Sequence, residues 1–242
     1  MSSSRKIKSI IAFGISAACL IVLLGLFFGG YYLQSQAAGT APSPHEQAYN
    51  GGFPVVDWEY WQSLNPDVIG WITIPNTEIN YPIVQAPKNN PAKYLRCDVY
   101  GNWNIYGAIY LDADCISEGL QSPNAVIYGH NMGYGDMSMF GSVANYIDLN
   151  FAFSHAEILL QTPSWKKRMS PNFAEIVDGE SLTKRTSFND HVDFTHWYTS
   201  RLNNAVAILA NQVPDEGRSI ITLVTCSYNY LSNERTCVYA GA

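Results

Sequence analysis

Charged residues are scarce in this 242-residue chain: Asp, Glu, Lys and Arg together make up 14% of it, while aromatic residues reach 13%. This balance excludes an intrinsically disordered protein, because disordered chains combine high charge with few aromatic residues. Internal repeats are absent, and low complexity is confined to residues 34–53. The length allows one sizeable domain plus an appendage.

Acidic residues are absent from residues 1–33, which hold three of the 14 Lys and Arg residues. The rest of the chain therefore has 11 basic and 20 acidic residues, a net charge of −9. Such a negative domain is unsuited to a polyanionic partner. We therefore expect no nucleic-acid partner and no binding to an anionic membrane surface.

The longest apolar run, from Ile10 to Phe28, follows Arg5, Lys6 and Lys8. It is long enough to cross the hydrocarbon core of a bilayer, and the preceding basic residues predict a cytoplasmic N-terminus. We expect a cytoplasmic head at 1–9, a transmembrane helix at 10–33, a flexible stalk at 34–53 and an extracytoplasmic domain at 54–242. The localisation is then the cell membrane, single-pass. The alternative is a cleaved signal peptide, with a small-residue site at 35–37.

Cysteine is also sparse, with five residues. None of the spacings resembles a zinc site, and no acidic cluster indicates calcium, so we expect no metal and no cofactor. Thiols outside the cell can pair. A disulfide between Cys97 and Cys115 is therefore an alternative to two free thiols.

The local patterns indicate a mostly β domain with inserted helices, closed or nearly closed into a barrel. Asp57 caps a short helix that ends at Asn65. Hydrophobic spacing predicts a helix at about 137–148, and Ser187 with Asp190 resembles a capping box that opens a helix to about 212. Short β-rich runs predict strands at 70–75, 79–85, 107–111, 125–128, 156–161, 173–177, 220–226 and 235–239.

Two of these strands, near the C-terminus, place two candidate functional residues next to each other. A buried strand ends at Cys226, turn-forming residues follow at 227–233, and Arg235 opens the next strand. Read as a hairpin, this order puts the thiol beside the guanidinium. The cation favours the thiolate and can hold a carbonyl oxygen. The alternative is a core cysteine next to a surface arginine.

A third candidate, His130, also follows an apolar strand, with Gly129 before it. A glycine there allows the backbone to bend so that the histidine faces a cleft. A catalytic cysteine needs such a base or imidazolium partner. His45 lies in the predicted stalk, and His155, His191 and His196 are interpreted as surface or core residues.

Three separated motifs in this order resemble the sortases. Residues 222–226, Thr-Leu-Val-Thr-Cys, resemble the TLxTC signature, residues 128–132 the histidine segment, and Arg235 stands where the sortase arginine does. Further segments are similar to class B sortases, and the resemblance covers most of residues 53–240. These segments are Asp57-Trp58, 70–77, 81–85, 107–112 and Met139-Phe140.

The resemblance implies an eight-stranded sortase barrel and a cysteine transpeptidase. Such an enzyme cleaves a C-terminal sorting signal of a secreted protein, often similar to Asn-Pro-x-Thr-Asn, and holds the fragment as a thioacyl enzyme. It then passes the fragment to an amine, usually of a peptidoglycan cross-bridge. By position, Cys226 attacks, His130 transfers protons and Arg235 steadies the carbonyl and oxyanion. Thr225 is a weaker candidate for lining the substrate groove.

Other functions are alternatives. Papain-like and NlpC-type peptidases place cysteine before histidine, the reverse of this order, and an L,D-transpeptidase holds both in one short motif. A catalytically silent binding module would not need His130, Cys226 and Arg235 together. A pilin-polymerising sortase usually has a lid ahead of the barrel and a second, C-terminal membrane helix, and the pattern of such a helix does not occur before Ala242. These comparisons favour cell-wall anchoring or a housekeeping-like role.

Overall fold

The computed structural model describes residues 49–180, 184–227 and 233–242. The predicted head, membrane helix and most of the predicted stalk lie outside these residues. Among the residues described, no helix combines the length and the apolar character that crossing a bilayer requires. Residues 49–54, which overlap the predicted stalk, form a small antiparallel hairpin.

Strands dominate the described chain. In order they are β1 (Tyr49–Asn50), β2 (Phe53–Pro54), β3 (Val68–Thr73), β4 (Asn80–Gln85), β5 (Ile109–Leu111), β6 (Asn124–Tyr128), β7 (Ile158–Gln161), β8 (Lys166–Asp178), β9 (Ala207–Ile208), β10 (Ile220–Ser227) and β11 (Glu234–Gly241). Every predicted strand is present within a few residues of its expected bounds, apart from the predicted 173–177, which is the end of the much longer β8.

Eight of these strands close into a barrel. They pair in the order β11, β10, β6, β5, β4, β3, β7 and β8, and β8 pairs back to β11. Strand β8 makes this closure because its first residues pair with β7 and its later residues with β11, while β9 adds to its edge. The predicted closed barrel is confirmed, and closure leaves no free edge along these eight strands.

Within the described residues, three α-helices and four 3₁₀ turns connect the strands. The helices are α1 (Trp58–Leu64), α2 (Leu149–Ser154) and α3 (His191–Leu202), and the turns lie at Lys93–Leu95, Ala113–Cys115, Gly119–Gln121 and Gly141–Ile147. Asp57 caps α1 as predicted, with Oδ1 accepting from the Tyr60 N–H at 2.9 Å. Such a cap satisfies an N–H group that has no partner within the helix.

Two helix predictions were wrong in detail. The segment predicted as one helix at 137–148 is a 3₁₀ turn at Gly141–Ile147, and α2 begins only after Asp148. The predicted helix 187–212 is α3, which begins after Asp190 and ends at Leu202. Asp190 itself is the cap, accepting from the Asp193 N–H at 2.8 Å, so the capping-box pattern placed the start three residues too early.

Helix α3 covers the outer face of β10 and β11, on which every second residue of each strand points away from the barrel interior. Phe194 and Tyr198 of the helix pack with Val224, Cys237 and Tyr239 in one buried cluster. Because an eight-stranded barrel has room only for its own side chains, the helix lies on the outer face. Near the C-terminal end of β10 this outer face becomes the wall of a cleft.

Candidate active site

Cys226 and Arg235 are opposite each other in the antiparallel pairing of β10 and β11. Strand β10 also pairs in parallel with β6, where Val224 is opposite Tyr128. Side chains alternate along a strand, and register partners emerge on the same face. Cys226, Arg235, Val224 and Tyr128 therefore share the outer face. The predicted hairpin neighbourhood of cysteine and arginine is present.

His130 reaches the same region because the chain after β6 stays attached to β10. The Gly129 N–H donates to the Val224 carbonyl at 3.2 Å, and the Thr225 hydroxyl donates to the Gly129 carbonyl at 2.9 Å. His130 Nε2 lies 2.9 Å from the Leu95 carbonyl oxygen. Since a carbonyl only accepts, Nε2 carries a proton in this bond, and Nδ1 of the neutral ring carries the lone pair.

The surroundings of His130 favour the neutral ring. Burial lowers the pKa of His130 below its usual value of 6.5, and the positive charges of Arg96 and Arg235 act in the same direction, against the hydrogen bond to Leu95. A neutral imidazole at neutral pH is able to accept a proton. The site thus contains a base beside a thiol and two guanidinium groups.

Close packing at Gly129 leaves no room for a side chain. Gly129 is not among the glycines with positive φ. A Cβ atom at this position would lie 2.5 Å from both Ile109 Cδ1 and Phe140 Cγ, far inside van der Waals contact. Glycine therefore lets the residue before His130 approach the barrel core. The sequence identified the position, whereas this packing requirement is visible only in the structure.

Arg235 is bound to the backbone and lines the cleft. One amino group, Nη1, donates to the Glu234 carbonyl at 2.9 Å. A Cβ atom on Gly179 would lie 3.1 Å from the guanidinium carbon and 2.8 Å from the Asn233 carbonyl oxygen. Glycine at the end of β8 thus allows the close approach of Arg235. The fork of the guanidinium has five donors, of which this bond uses one.

A cleft of about 410 Å³ joins the three predicted residues. Its wall is basic: the lining contains Arg96, His130 and Arg235 and no acidic residue. The full lining is Ala92, Leu95, Arg96, Tyr110, Tyr128, Gly129, His130, Val224, Thr225, Cys226 and Arg235. A basic cleft suits carbonyl oxygens and developing negative charge.

Thr225 borders this cleft, but its side chain is 2% exposed and its hydroxyl is used for the bond to Gly129. It alternates with Cys226, so its side chain projects towards the barrel interior. Its observed contact positions the segment that leads to His130. Substrate contact by Thr225 stays a prediction.

The aromatic wall of the cleft was missed by the sequence analysis. Tyr110 and Tyr128 stack with ring centroids 5.1 Å apart. Asp112 adds to the raised pKa of Tyr128, and both Asp112 oxygens accept from Lys184 Nζ at 2.7 Å. Burial raises the pKa of both tyrosines, which keeps them neutral. The only signal in the sequence was their position near strand ends.

The other three described cysteines are free thiols, so Cys97 and Cys115 are not bridged. Burial raises the pKa of Cys97, Cys115 and Cys237. Cys237 shares the outer face with Arg235 but packs in the core under α3. None of these three thiols lines the cleft, which leaves Cys226 as the one described thiol in its wall.

The remaining histidines do not compete for the role of base. His155 closes α2, where Nδ1 lies 2.8 Å from the Phe151 carbonyl oxygen, and its ring stacks on that of Phe151. His191 and His196 lie on α3 and do not line the cleft. His45 lies outside the described residues.

No protein-family model matches the chain. A sortase B of Listeria monocytogenes is 33% identical over 170 residues, which are 68% of this chain and 65% of that protein. A sortase B of Staphylococcus aureus is 26% identical over 181 residues, 75% of this chain and 72% of that protein. The chain belongs to the class B sortases.

The fold agrees with that assignment. The structure of a Staphylococcus aureus sortase B–substrate complex superposes with a TM-score of 0.65 at 25% identity, covering 76% of this chain and 82% of that one. The match to the Listeria protein spans just under two thirds of that protein's length. In the barrel of this chain, the cysteine, histidine and arginine that the sequence resemblance singled out line one cleft at the strand ends.

Proposed function

We propose that this protein is a cysteine transpeptidase that cleaves a sorting signal through a thioacyl intermediate and transfers the fragment to an amine. The observation that carries the proposal is the register pairing of Cys226 with Arg235 at a cleft that also contains His130. The kinship with sortase B proteins, one of them in a substrate complex, supports it.

In the first half-reaction, the Cys226 sulfur attacks the carbonyl carbon of the scissile peptide bond. The neutral His130 ring accepts the thiol proton and then gives it to the leaving amine. Arg235 stabilises the oxyanion, because its directed N–H donors and its charge meet the developing negative charge. The product is a thioester between the Cys226 sulfur and the N-terminal fragment.

In the second half-reaction, an amine attacks the thioester carbon while the C–S bond breaks. His130 takes a proton from the incoming amine, and the electron pair of the broken bond returns to the sulfur. Water attacking instead would give hydrolysis. The basic, aromatic-walled cleft favours a substrate segment with carbonyl groups and without lysine or arginine next to the scissile bond.

The finer features of the proposal come from the sequence. The substrate is a secreted protein with a C-terminal signal similar to Asn-Pro-x-Thr-Asn, and the acceptor is an amine of the peptidoglycan cross-bridge. The basic head and the apolar run at 10–33 support a single-pass membrane anchor with the catalytic domain outside the cell. Protease added to protoplasts should then remove residues after 33 and leave the N-terminus protected. A mature chain beginning near Ala38 would contradict the anchor.

The activity is tested with a quenched fluorescent peptide that contains Asn-Pro-x-Thr-Asn. Wild type should cleave it after Thr, and intact-mass measurement should find the N-terminal fragment on Cys226. Triglycine should capture that fragment as a new peptide. Cys226→Ala is the control and should show neither cleavage nor adduct. Cleavage that persists in Cys226→Ala would contradict the proposal.

A further inference from the structure

A second cavity, of about 540 Å³, lies directly behind the catalytic strand ends. Asn131, which follows His130, and Ser227, which follows Cys226, both line it. Since side chains alternate along a strand, Ser227 emerges on the face opposite to Cys226. Asn131 ties the two strand ends together, because its Nδ2 donates to the Cys226 carbonyl at 2.9 Å.

The charge of this rear pocket is opposite to that of the catalytic cleft. Its lining includes Asp136 and Asp148 and contains no Lys, Arg or His. The catalytic cleft has Arg96 and Arg235 and no acid. The charged side chains that line the two cavities are therefore of opposite sign. A cation is attracted to the rear pocket, and a carbonyl or oxyanion to the cleft.

Ser227 supplies an unused hydrogen-bonding group in the rear pocket. The residue is 1% exposed, and its hydroxyl has no hydrogen-bond partner within the described part of the chain. Buried hydroxyl groups are nearly always paired, by protein or by a ligand. Glu234, the register partner of Ser227, adds a buried carboxylate on the same face of the sheet.

The two acids of the rear pocket are held rigidly. Asp136 Oδ1 accepts from the Ser138 N–H at 2.9 Å, and its Oδ2 accepts from the Tyr106 hydroxyl at 3.0 Å. Asp148 caps α2 through Oδ1, which accepts from the Asn150 N–H at 2.8 Å. These bonds fix the carboxylates but are to neutral donors, so the negative charges are not neutralised by them.

We propose that the rear pocket binds the primary ammonium group of the acyl acceptor before transfer. This inference rests on the proposed transpeptidase function and names where its second substrate docks. Amines with an ammonium group are cations at neutral pH, and Asp136, Asp148 and the Ser227 hydroxyl offer acceptors for its three N–H donors. The amine must lose a proton before it attacks the thioester, and His130 is the adjacent neutral base.

The test compares two acceptors with the full chain. Triglycine carries an ammonium group, whereas hydroxylamine is uncharged at neutral pH and needs no cation site. In Asp136→Asn and Asp148→Asn the KM for triglycine should rise about three- to tenfold, the usual range for losing one charged contact. The KM for hydroxylamine and the rate of thioacyl formation should stay as in wild type. Asparagine keeps the cap of α2, which preserves the fold.

The variant Ser227→Ala distinguishes a loss of acceptor binding from a loss of folding stability. Because the hydroxyl has no partner in the described residues, its removal should leave the melting temperature unchanged or raise it. The KM for triglycine should nevertheless rise. The matched control is Asp215→Asn, an acid outside the pocket whose side chain is 83% exposed, and it should behave as wild type. An α-acetylated lysine amide, tested in parallel, shows whether a side-chain amine uses the same pocket.

An unchanged KM for triglycine in all three variants would overturn the inference while leaving the transpeptidase intact. An equal loss with hydroxylamine would also overturn it, because a general catalytic defect would then explain the effect. Absence of any thioacyl enzyme in wild type would overturn the proposed function, and the inference with it.

Discussion

Cys226 and Arg235 are register partners in neighbouring antiparallel strands, nine positions apart in sequence and directly opposite each other in the sheet. Their side chains emerge on the same face, at the rim of the basic cleft. The strands of a closed barrel resist sliding, because every strand is paired on both sides. The thiol and the guanidinium are therefore placed by backbone hydrogen bonds and not by a mobile loop.

We expect Arg235→Lys to be nearly as inactive as Arg235→Ala. Lysine keeps the positive charge, but it lacks the planar fork that donates two directed hydrogen bonds. Losing one aligned oxyanion donor costs on the order of 3 kcal/mol, about a hundredfold in rate. Turnover of the fluorescent peptide measures this loss, and circular dichroism serves as the folding control. Wild-type-like turnover of Arg235→Lys would leave Arg235 a purely electrostatic role.

We expect the pKa of His130 to lie below 6.5 and to rise when a neighbouring cation is removed. Burial disfavours the charged ring, and Arg96 and Arg235 add repulsion. Titration by NMR should therefore give a higher pKa in Arg96→Gln and in Arg235→Gln than in wild type. Arg201→Gln, at a residue that does not line the cleft, is the control and should not change the pKa of His130.

The lowered pKa of His130 also predicts how the free energy of unfolding depends on pH. A histidine whose pKa is lowered by folding contributes fully to stability above its unfolded value of 6.5. That contribution is lost as the pH falls through the lower folded pKa. The loss of unfolding free energy on acidification should therefore be smaller in His130→Gln than in wild type. Urea unfolding at a series of pH values measures this, and identical pH dependence would contradict it.

We expect Cys226 to be alkylated by iodoacetamide much faster than the three other described thiols. Burial raises the pKa of Cys97, Cys115 and Cys237, and Cys237 is fully buried. Peptide mapping after brief labelling should find the modification on Cys226. Cys97→Ala, Cys115→Ala and Cys237→Ala should keep most of the activity. Loss of cleavage in Cys237→Ala with an intact fold would contradict the assignment of the nucleophile.

We expect Gly129→Ala to destabilise the fold by about 1–3 kcal/mol, the usual cost of overpacking a core. The added methyl group would overlap Ile109 and the ring of Phe140. Phe140→Leu removes one of these obstacles, so the double variant should be more stable than the sum of the single effects indicates. Chemical denaturation of the four proteins measures the coupling. If the changes in the free energy of unfolding of the two single variants simply added up in the double variant, Phe140 would not be in steric conflict with the methyl group.

Several features of this protein were determined by local sequence. The β-rich apolar runs predicted the strands, since alternation and β-branching act over a few residues. The order of His130, Cys226 and Arg235 within their motifs identified the catalytic candidates and the family. The Asp57 cap was also visible, because a cap is a contact between residues three positions apart.

Other features were decided by tertiary structure. The 137–148 segment has helical spacing but forms a 3₁₀ turn before α2, because its contacts with β10, β11 and β8 override propensity. Gly129 is a glycine because Ile109 and Phe140 occupy the space of a Cβ atom. The Tyr110–Tyr128 wall joins residues 18 positions apart. The charge reversal between cleft and rear pocket likewise arises from strand pairing, since a sum of charges over distant segments has no local signature.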